Sequence, residues 1–325
     1  MKKIALHGSF SPNMVDCLQK KCPEGFEVYA ISKENEAADL GAADYIVNRG
    51  AVVNEAVVAA ARNTRLIHKW GAGYDKIDVK AAGAHGIPVA ICVGGNAMPV
   101  AELTVALMMA VLRNIQPMAE RLKKGDWSRN DYAGRSFLLH GRTVGLLGIG
   151  NIAKKVAAIV RGGFDCPVLY YDVFRLSAEQ EAALGVTYVS LDELLRQADI
   201  LSIHVPLLDS TAGMINKEKL ALMKPSAFVI NTARGGIINE PDLIEALQNG
   251  TIAGAGLDTY ASEPLSVDSP LLQMDNVVTT PHCGGNTVDN DINMAAICME
   301  DIAAYDATKD ATMRCIVNRE FLKQQ

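Results

Sequence analysis

The chain has 325 residues, 49% of them hydrophobic and 21% charged, which fits about two globular domains and excludes wholesale disorder. Its formal net charge of −6 argues against a protein that binds nucleic acid or an anionic membrane. Seven cysteines, without CxxC or Cys/His ligand spacing, indicate free thiols in a reducing cytosol and favour no metal site. The longest apolar run, Leu103 to Leu112, is too short to span a membrane, so we predict a cytoplasmic protein.

Short strands alternate with helices over roughly the first 95 residues, which is a usual domain size. The predicted strands are Lys3–His7, Glu27–Ile31, Tyr45–Val47, Leu66–His68 and Val89–Val93. Helical segments such as Asn54–Arg62 and Asp78–Gly83 lie between them. This alternation predicts an α/β unit whose parallel sheet has helices on both faces. A long helix from Pro99 to about Lys124 then leads into a second unit.

The second unit repeats the alternation and is also predicted to be a doubly wound parallel sheet. Its strands are predicted at Thr143–Leu147, Val168–Tyr171, Ile200–His204, Ala227–Asn231, Ala255–Asp258 and Val277–Thr280. Helices are predicted at Leu191–Gln197 and Asp242–Gln248, and a last helical stretch near Ile292–Tyr305.

A glycine-rich turn follows the first strand of this second unit. Gly148, Gly150 and Ala153 fit the pattern G-x-G-x-x-G/A between a strand and a helix. In this pattern the first glycine allows a tight turn, and the second lets a pyrophosphate approach the backbone at the helix N-terminus. The turn therefore predicts a dinucleotide site.

An acidic residue strengthens this prediction. Asp172 follows the next strand, about 20 residues after the turn, where a carboxylate accepts hydrogen bonds from ribose hydroxyls. A carboxylate repels a 2′-phosphate, so Asp172 favours NAD over NADP, although Arg175 lies close to it in the sequence. The alternative is a glycine turn that binds no ligand.

Three polar residues come just after other strands of the second unit, at the edge where open α/β sheets bind ligands. Arg234 can hold a carboxylate through two hydrogen bonds, and histidine, as at His282, suits proton transfer near neutral pH. Glu263 can pair with His282, favour its protonated form and orient its ring. Taken singly, each could be an ordinary surface residue. Together with the dinucleotide turn they describe hydride transfer to a 2-oxo acid.

These residues resemble the D-isomer-specific 2-hydroxyacid dehydrogenase family, as exemplified by phosphoglycerate and glyoxylate/hydroxypyruvate dehydrogenases. The resemblance extends from about Leu66 to Val317. Besides the residues above, it rests on the segments Gly71–Asp78, Asn96–Thr104, His204–Leu208 and Asn231–Gly236.

The resemblance implies that a Rossmann NAD domain, residues 99–285, is inserted into a flavodoxin-like substrate domain, residues 1–98 plus 286–325. It implies a homodimer joined through the NAD domains, with the long helix after Pro99 contributing. The implied partners are NAD and a small 2-oxo or 2-hydroxy acid.

The resemblance also implies roles for individual residues. Arg234 would bind the substrate carboxylate and 2-oxo oxygen, His282 would exchange the proton, and Glu263 would keep His282 protonated. Ala72 and Gly73 would offer backbone amides to the carboxylate, and Asn96 matches a substrate-cleft residue. The implied cofactor-binding residues are Thr104, Gly148, Gly150, Asn151, Ile152, Asp172, Val205, Pro206, Thr232, Ala233, Asp258 and Gly284, with Asp258 contacting the nicotinamide carboxamide.

Three positions depart from the family pattern or lie beside it. Asn239 stands where aspartate is usual, and we expect only a structural consequence. Asn286 stands where a small residue is common, and Lys69 precedes the Gly71 loop, where we expect a solvated or stem-packed side chain.

Two functions remain open at this point. We predict an NAD-dependent dehydrogenase acting on glyoxylate, hydroxypyruvate or a phosphoglycerate-like substrate. The alternative is a non-catalytic, NAD(H)-sensing interaction protein that resembles the transcriptional corepressors of the family. The sequence does not identify the substrate or the physiological direction.

Overall fold

The structure, a computed structural model, describes residues 1–127 and 129–322. The chain divides into two compact units: Met1–Asn96 with the segment that begins at Gly285, and Ala97–Gly284. The predicted boundaries after residues 98 and 285 are therefore displaced. A helix already begins at Ala97, and the Asn290 side-chain amide donates a hydrogen bond to the Gly285 carbonyl at 2.6 Å, within the first unit.

The first unit contains a five-stranded, fully parallel sheet. Its strands are β1 (Lys2–Gly8), β2 (Phe26–Ala30), β3 (Tyr45–Arg49), β4 (Leu66–Lys69) and β5 (Val89–Ile91). Its first four helices are α1 (Pro12–Lys21), α2 (Glu36–Ala42), α3 (Glu55–Ala60) and α4 (Val79–Ala84). The strand order β2-β1-β3-β4-β5 is that of flavodoxin-like folds.

The second unit contains a seven-stranded parallel sheet. Its strands are β6 (Val144–Leu147), β7 (Val168–Tyr171), β8 (Val186–Tyr188), β9 (Ile200–Ile203), β10 (Phe228–Asn231), β11 (Gly254–Leu257) and β12 (Val277–Thr279). Its helices are α5 (Ala97–Leu112), α6 (Ile115–Lys123), α7 (Asn151–Phe164), α8 (Ala178–Leu184), α9 (Leu191–Gln197), α10 (Lys217–Leu220) and α11 (Glu240–Gln248). The strand order β8-β7-β6-β9-β10-β11-β12 is the Rossmann order with one added edge strand.

The last helix, α12 (Val288–Thr308), returns to the first unit. It packs against α1 and β4 on one face of the first sheet. Alternate residues of one strand face opposite sides: Ile4 and Leu6 belong to the core under α1 and α12, and Ala5 to the core on the other face. This two-sided burial is what a parallel sheet covered by helices requires.

The second unit is covered on both faces in the same way. Leu146 packs with residues of α5 and α7, and its neighbour Leu147 packs in a separate core with residues of α9, α10 and α11. Both cores are continuous and apolar, so the carboxyl ends of the strands are held at one fixed edge of the sheet.

One prediction about the elements of this unit is wrong, and one strand was not predicted. The single helix expected from Pro99 to Lys124 is two helices, because Asn114 adopts a left-handed conformation with φ of 51° and ends α5. The Asn114 side-chain amide donates hydrogen bonds to the Arg135 carbonyl and Ser136 Oγ, which fixes this break. The edge strand β8 was not predicted, since of its three residues only Val186 is buried.

Within the described residues, no single helix combines the length and apolarity needed to cross a membrane. The pair α5 and α6, bent by 65°, meets that test only by length and composition. Most of the large side chains of α5 are buried in the core of the second unit.

Candidate active site

The glycine turn between β6 and α7 is shaped for close backbone approach. Gly148 has φ of +94°, and a Cβ there would lie 2.9 Å from the carbonyl carbon of His204. Gly150 caps the N-terminus of α7, and a Cβ there would meet no described atom within 4 Å. The turn is therefore tight on its protein side and open at the helix N-terminus, as a pyrophosphate site requires.

The Asp172 carboxylate is fixed beside this turn. Its Oδ2 accepts a hydrogen bond from the Ile149 amide at 2.8 Å, and its Oδ1 accepts one from the Phe174 amide at 3.0 Å. Each oxygen keeps a lone pair for a further donor. Arg175 is ion-paired with Glu181 at 2.9 Å, and its hydrogen bonds lower the pKa of that glutamate. Asp172 thus presents oriented acceptors that suit a ribose diol.

Two threonines join α5 to the segment after β10. The Thr104 hydroxyl donates to the Val100 carbonyl at 2.7 Å, so it accepts the hydrogen bond from the Thr232 hydroxyl, 2.8 Å away. Both side chains are buried. The structure therefore brings together two residues that the sequence placed in the cofactor site.

Arg234 lies in a loop that is braced from two sides. The Asn231 side chain donates to the Arg234 carbonyl at 2.9 Å and accepts from the Ala233 amide at 3.0 Å. At Gly235 a Cβ would lie 1.9 Å from the Tyr260 carbonyl carbon, so only glycine allows these two backbones to touch. The half-buried Arg234 side chain is thereby held at the carboxyl edge of the sheet.

His282 and Glu263 form an ion-pair contact, with His282 Nδ1 2.8 Å from Glu263 Oε2. The other carboxylate oxygen of Glu263 accepts from the Tyr260 amide at 3.2 Å, and the Glu263–Pro264 peptide bond is cis. Because the carboxylate accepts the Nδ1 proton, Nε2 is the ring nitrogen that can exchange a proton with another molecule. The His282 side chain is 45% exposed, so solutes can reach it.

Asp258 holds the His282 loop, a role that the sequence did not predict. Its buried carboxylate accepts hydrogen bonds from the Thr280 hydroxyl at 2.6 Å and from the Cys283 and Gly284 amides at 2.9 Å each. His282 itself has φ of +51°, an unusual conformation for a residue other than glycine. Asp258 fixes the backbone on both sides of it. The position of Asp258 after β11 indicated a site residue but not this support.

The segment after β9 carries Val205 and Pro206. The ring of the preceding residue, His204, is hydrogen-bonded through Nε2 to Ser202 Oγ, 2.8 Å away. Burial lowers the pKa of His204 to about 3. His204 is therefore neutral at pH 7. The Pro206 carbonyl accepts from the Thr211 hydroxyl at 2.6 Å, which closes the following turn.

The remaining predicted residues of the second unit are Asn151 and Ile152, in the first turn of α7. Ala72, Gly73 and Asn96 belong instead to the first unit, in the loops after β4 and β5. The preceding Gly71 accepts a hydrogen bond from the Cys92 amide at 3.1 Å. The structure thus places three substrate-binding candidates in one unit and the acid–base pair in the other.

One cation at the carboxyl edge of the first sheet was not predicted as a site residue. Arg49 ends β3, and its guanidinium donates to the Ser9 carbonyl at 2.6 Å and to Asn286 Oδ1 at 3.2 Å. Its place directly after a predicted strand was the available signal, the same signal that identified Arg234.

A model of the D-isomer specific 2-hydroxyacid dehydrogenase NAD-binding domain matches residues 105–284. The glyoxylate/hydroxypyruvate reductase B of Yersinia pestis is 38% identical over 268 residues, which are 82% of this chain and 81% of that protein. The D-3-phosphoglycerate dehydrogenase of Archaeoglobus fulgidus is 37% identical over 318 residues, or 97% of this chain, which spans only 59% of that relative's length.

The chain belongs to the D-isomer specific 2-hydroxyacid dehydrogenase family. An NAD-complexed D-isomer specific 2-hydroxyacid dehydrogenase from Lactobacillus delbrueckii superposes with a TM-score of 0.80 and 29% identity, covering 97% of this chain and all of that one. The predicted family, the fold of two parallel-sheet α/β domains, the enzyme class and NAD as cofactor are confirmed. The open turn at Gly150 and the oriented Asp172 carboxylate fit that cofactor.

The departures from this family's pattern have simple structural accounts. Asn239 caps the N-terminus of α11, accepting from the Asp242 amide at 3.2 Å, as an aspartate would. Asn286 accepts from Arg49. The Lys69 ammonium donates to the Trp70 carbonyl at 2.6 Å, so this side chain folds back onto its own loop.

Proposed function

We propose that the protein is an NAD-dependent oxidoreductase that transfers a hydride between NADH and a small 2-oxo acid, giving a D-2-hydroxy acid. The observation that carries this proposal is the 2.8 Å contact of His282 with Glu263, in the same unit as the Gly148 turn and Asp172. An acid–base pair and a dinucleotide site are the two parts that carbonyl reduction needs.

In the reduction, His282 is the general acid. NADH, when bound, supplies the hydride to the carbonyl carbon. The carbonyl oxygen gains negative charge in that step, and the Nε2 proton of His282 neutralises it. Glu263 accepts a hydrogen bond from Nδ1, which keeps the ring oriented with Nε2 as the nitrogen that exchanges the proton. In the oxidation, His282 takes the proton back.

Arg234 binds the substrate. Its guanidinium pairs with the substrate carboxylate and hydrogen-bonds the 2-oxo oxygen, where it stabilises the developing charge. The bracing of the loop by Asn231 and Gly235 supports this role, and the guanidinium itself donates to the Ala233 carbonyl at 2.8 Å, so it loses less entropy on binding. In the first unit, Ala72 and Gly73 carry backbone amides that suit a carboxylate, and Asn96 is the third substrate-binding candidate.

The two units divide this work. The second unit is the NAD domain, and the first unit, with the C-terminal segment, is the substrate domain. The cofactor residues are those that the family resemblance implied: Thr104, Gly148, Gly150, Asn151, Ile152, Asp172, Val205, Pro206, Thr232, Ala233, Asp258 and Gly284. For Asp258 we keep the nicotinamide contact, because its hydrogen bonds to the His282 loop leave it one acceptor lone pair.

Glyoxylate and hydroxypyruvate are the substrates we favour, with a phosphoglycerate-like acid next, in line with the names of the two relatives. The test measures NADH consumption at neutral pH with hydroxypyruvate, glyoxylate, pyruvate, 2-oxoisocaproate and phosphohydroxypyruvate, and repeats it with NADPH. We expect one compound to be turned over far faster than the others. NADH binding without turnover of any 2-oxo acid would contradict the enzyme and support the NAD(H)-sensing interaction protein instead.

We also propose a cytoplasmic homodimer joined through the NAD domains. All seven cysteines are free thiols, which suits a reducing compartment. Around α6, Met118, Leu122 and Trp127 are exposed, the tryptophan by 79%, and such an apolar patch is typical of an interface. Light scattering should give twice the chain mass, and Leu122→Arg should give a monomer. A monomeric wild-type protein would contradict the dimer.

A further inference from the structure

A buried cluster of His68, Cys92 and Cys298 lies in the first unit, apart from the acid–base pair of the second. His68 is in β4, Cys92 directly follows β5, and Cys298 is in the middle of α12. All three residues are completely buried. The nitrogen and both sulfur atoms lie within 4.8 Å of one another.

Two of the distances among these atoms are close to the edges of a tetrahedron around one zinc ion. Zn–S and Zn–N bonds of about 2.3 and 2.0 Å give S···S edges of about 3.8 Å and S···N edges of about 3.5 Å. In the protein, the two sulfur atoms are 3.5 Å apart, and Cys298 Sγ is 3.3 Å from His68 Nδ1. The Lys69 carbonyl oxygen lies 3.6 Å from Cys92 Sγ and is the nearest oxygen recorded beside that sulfur atom.

The surroundings of His68 are those of a metal-binding histidine. Its Nε2 lies 2.9 Å from Asp301 Oδ2, one turn after Cys298 on α12. A carboxylate that accepts the Nε2 proton leaves the Nδ1 lone pair directed at the sulfur atoms, as in carboxylate–histidine–zinc arrangements. Hydrogen bonding between thiols would account for the contacts within the cluster, but it does not require a buried histidine whose other ring nitrogen is held by a carboxylate.

We propose that His68, Cys92 and Cys298 bind a zinc ion, with the Lys69 carbonyl as the fourth ligand. Binding releases the two thiol protons to solvent and forms two S–Zn bonds. Two thiolates balance the dipositive ion, so the occupied site is neutral and can be buried at low cost. Zinc is the fitting metal because its structural sites are tetrahedral with nitrogen and sulfur ligands.

The ion would join β4, β5 and α12 at one point. The Cys92 amide also donates to the Gly71 carbonyl at 3.1 Å, so the site supports the Gly71 loop. On the proposed function, that loop presents Ala72 and Gly73 to the substrate. The inference reverses the expectation of no metal site, which followed from spacing along the chain; the three ligands are contributed by separate segments, so no local motif marks them.

The first test is metal analysis of the full-length protein, purified under reducing conditions without chelator. We expect elemental mass spectrometry to find about one zinc ion per chain. The double variant Cys92→Ser/Cys298→Ser should contain none. Cys166→Ser, which changes a buried cysteine of the second unit, is the matched control and should retain the zinc. This readout does not depend on activity, so it stands or fails separately from the proposed function.

The second test needs no variant. Zinc-depleted wild-type protein is titrated with Co²⁺, and we expect the intense visible and thiolate charge-transfer bands of tetrahedral cobalt, abolished by added Zn²⁺. Two results would overturn the proposal. If the reduced protein neither contains zinc nor takes up Co²⁺, the cluster is a hydrogen-bonded thiol pair. If the intact mass is lower by two hydrogens, Cys92 and Cys298 form a disulfide.

Discussion

The carboxyl ends of the strands differ in character between the two sheets. In the second unit they carry acidic side chains that are already engaged: Asp172 holds two amides, Asp258 holds three donors, and Glu263 bridges Tyr260 and His282. In the first unit the corresponding edge offers backbone and cations, namely the Gly71–Gly73 loop and Arg49. The edge of the second sheet is therefore fixed by hydrogen-bonded carboxylates, which on the proposed function hold the reacting groups, whereas the edge of the first offers the backbone of a glycine-rich loop.

This difference has a physical reason. A proton donor must be placed to within a fraction of an ångström, so its neighbours must be locked by hydrogen bonds that exist before substrate arrives. Backbone amides in a glycine-rich loop adapt to the carboxylate they bind and tolerate more variation. Substitutions of His282 and Glu263 should therefore affect turnover, whereas substitutions in the Gly71–Gly73 loop should affect substrate choice.

The largest expected effect comes from removing the proton donor. His282→Ala should lower kcat by about 10²–10⁴-fold, since that is the usual contribution of general acid–base catalysis. KM for the 2-oxo acid should change much less, because Arg234 remains. Steady-state kinetics of NADH consumption would measure both parameters.

His140→Ala is the matched control, because this histidine belongs to the same unit and is exposed in a turn outside the helices and strands. It should leave kcat within a factor of about two, as surface substitutions usually do. An unchanged kcat in His282→Ala, with the control also unchanged, would refute the assignment of the proton donor and remove the distinction between the two sheet edges.

Local rules were enough to predict part of the candidate site. A glycine turn between a strand and a helix, and an acid after the next strand, identified Gly148, Gly150 and Asp172. The family resemblance supplied the roles of Arg234, Glu263 and His282, which spacing could not assign. The alternation of strands and helices was enough to predict both parallel sheets.

What the sequence missed depends on contacts between distant segments. The break at Asn114 depends on its hydrogen bonds to residues 135 and 136, and β8 exists because its three residues pair with β7. The second role of Asp258 depends on amides 25 residues later. None of these has a local pattern, because the partners meet only after the chain has folded.

Mild acid should destabilise the second unit more than the first. Burial lowers the pKa of His204, in the second unit, from 6.5 to about 3. Below pH 6.5 the His204 ring is protonated in the unfolded chain but stays neutral in the folded protein. The free energy of unfolding therefore falls, by about 2 kcal/mol at pH 5. In the first unit, burial acts against Asp306, but hydrogen bonds from Lys2, Lys309 and Tyr45 hold its pKa well below 3.8. Its contribution is lost only under more acidic conditions.

Hydrogen exchange at pH 7 and pH 5, corrected for intrinsic rates, would measure this difference. Protection of β6 and β9 should fall, and protection of β1 and β3 should change less. His204→Gln should abolish the extra loss in the second unit, and His140→Gln, an exposed histidine of the same unit, should not. Equal losses in both units, or a loss that persists in His204→Gln, would contradict burial of a neutral imidazole as the cause.

The smallest expected effect tests the cofactor preference. Asp172→Asn keeps the shape of the side chain but removes its charge, so ribose hydroxyls lose a charge-assisted acceptor. We expect KM for NADH to rise about 10-fold, equivalent to ~1.4 kcal/mol, and the preference for NADH over NADPH to fall similarly. Kinetics with both cofactors would measure the ratio.

Arg175→Gln decides what that ratio means. Arg175 is held by two hydrogen bonds to Glu181 and lies 4.9 Å above the Tyr188 ring, so it should contribute little to either cofactor. If this variant leaves the ratio unchanged while Asp172→Asn lowers it, the preference for NAD comes from the carboxylate alone. If Arg175→Gln instead weakens NADPH selectively, the arginine exchanges Glu181 for a 2′-phosphate, and the second unit is less rigidly organised than its hydrogen bonds indicate.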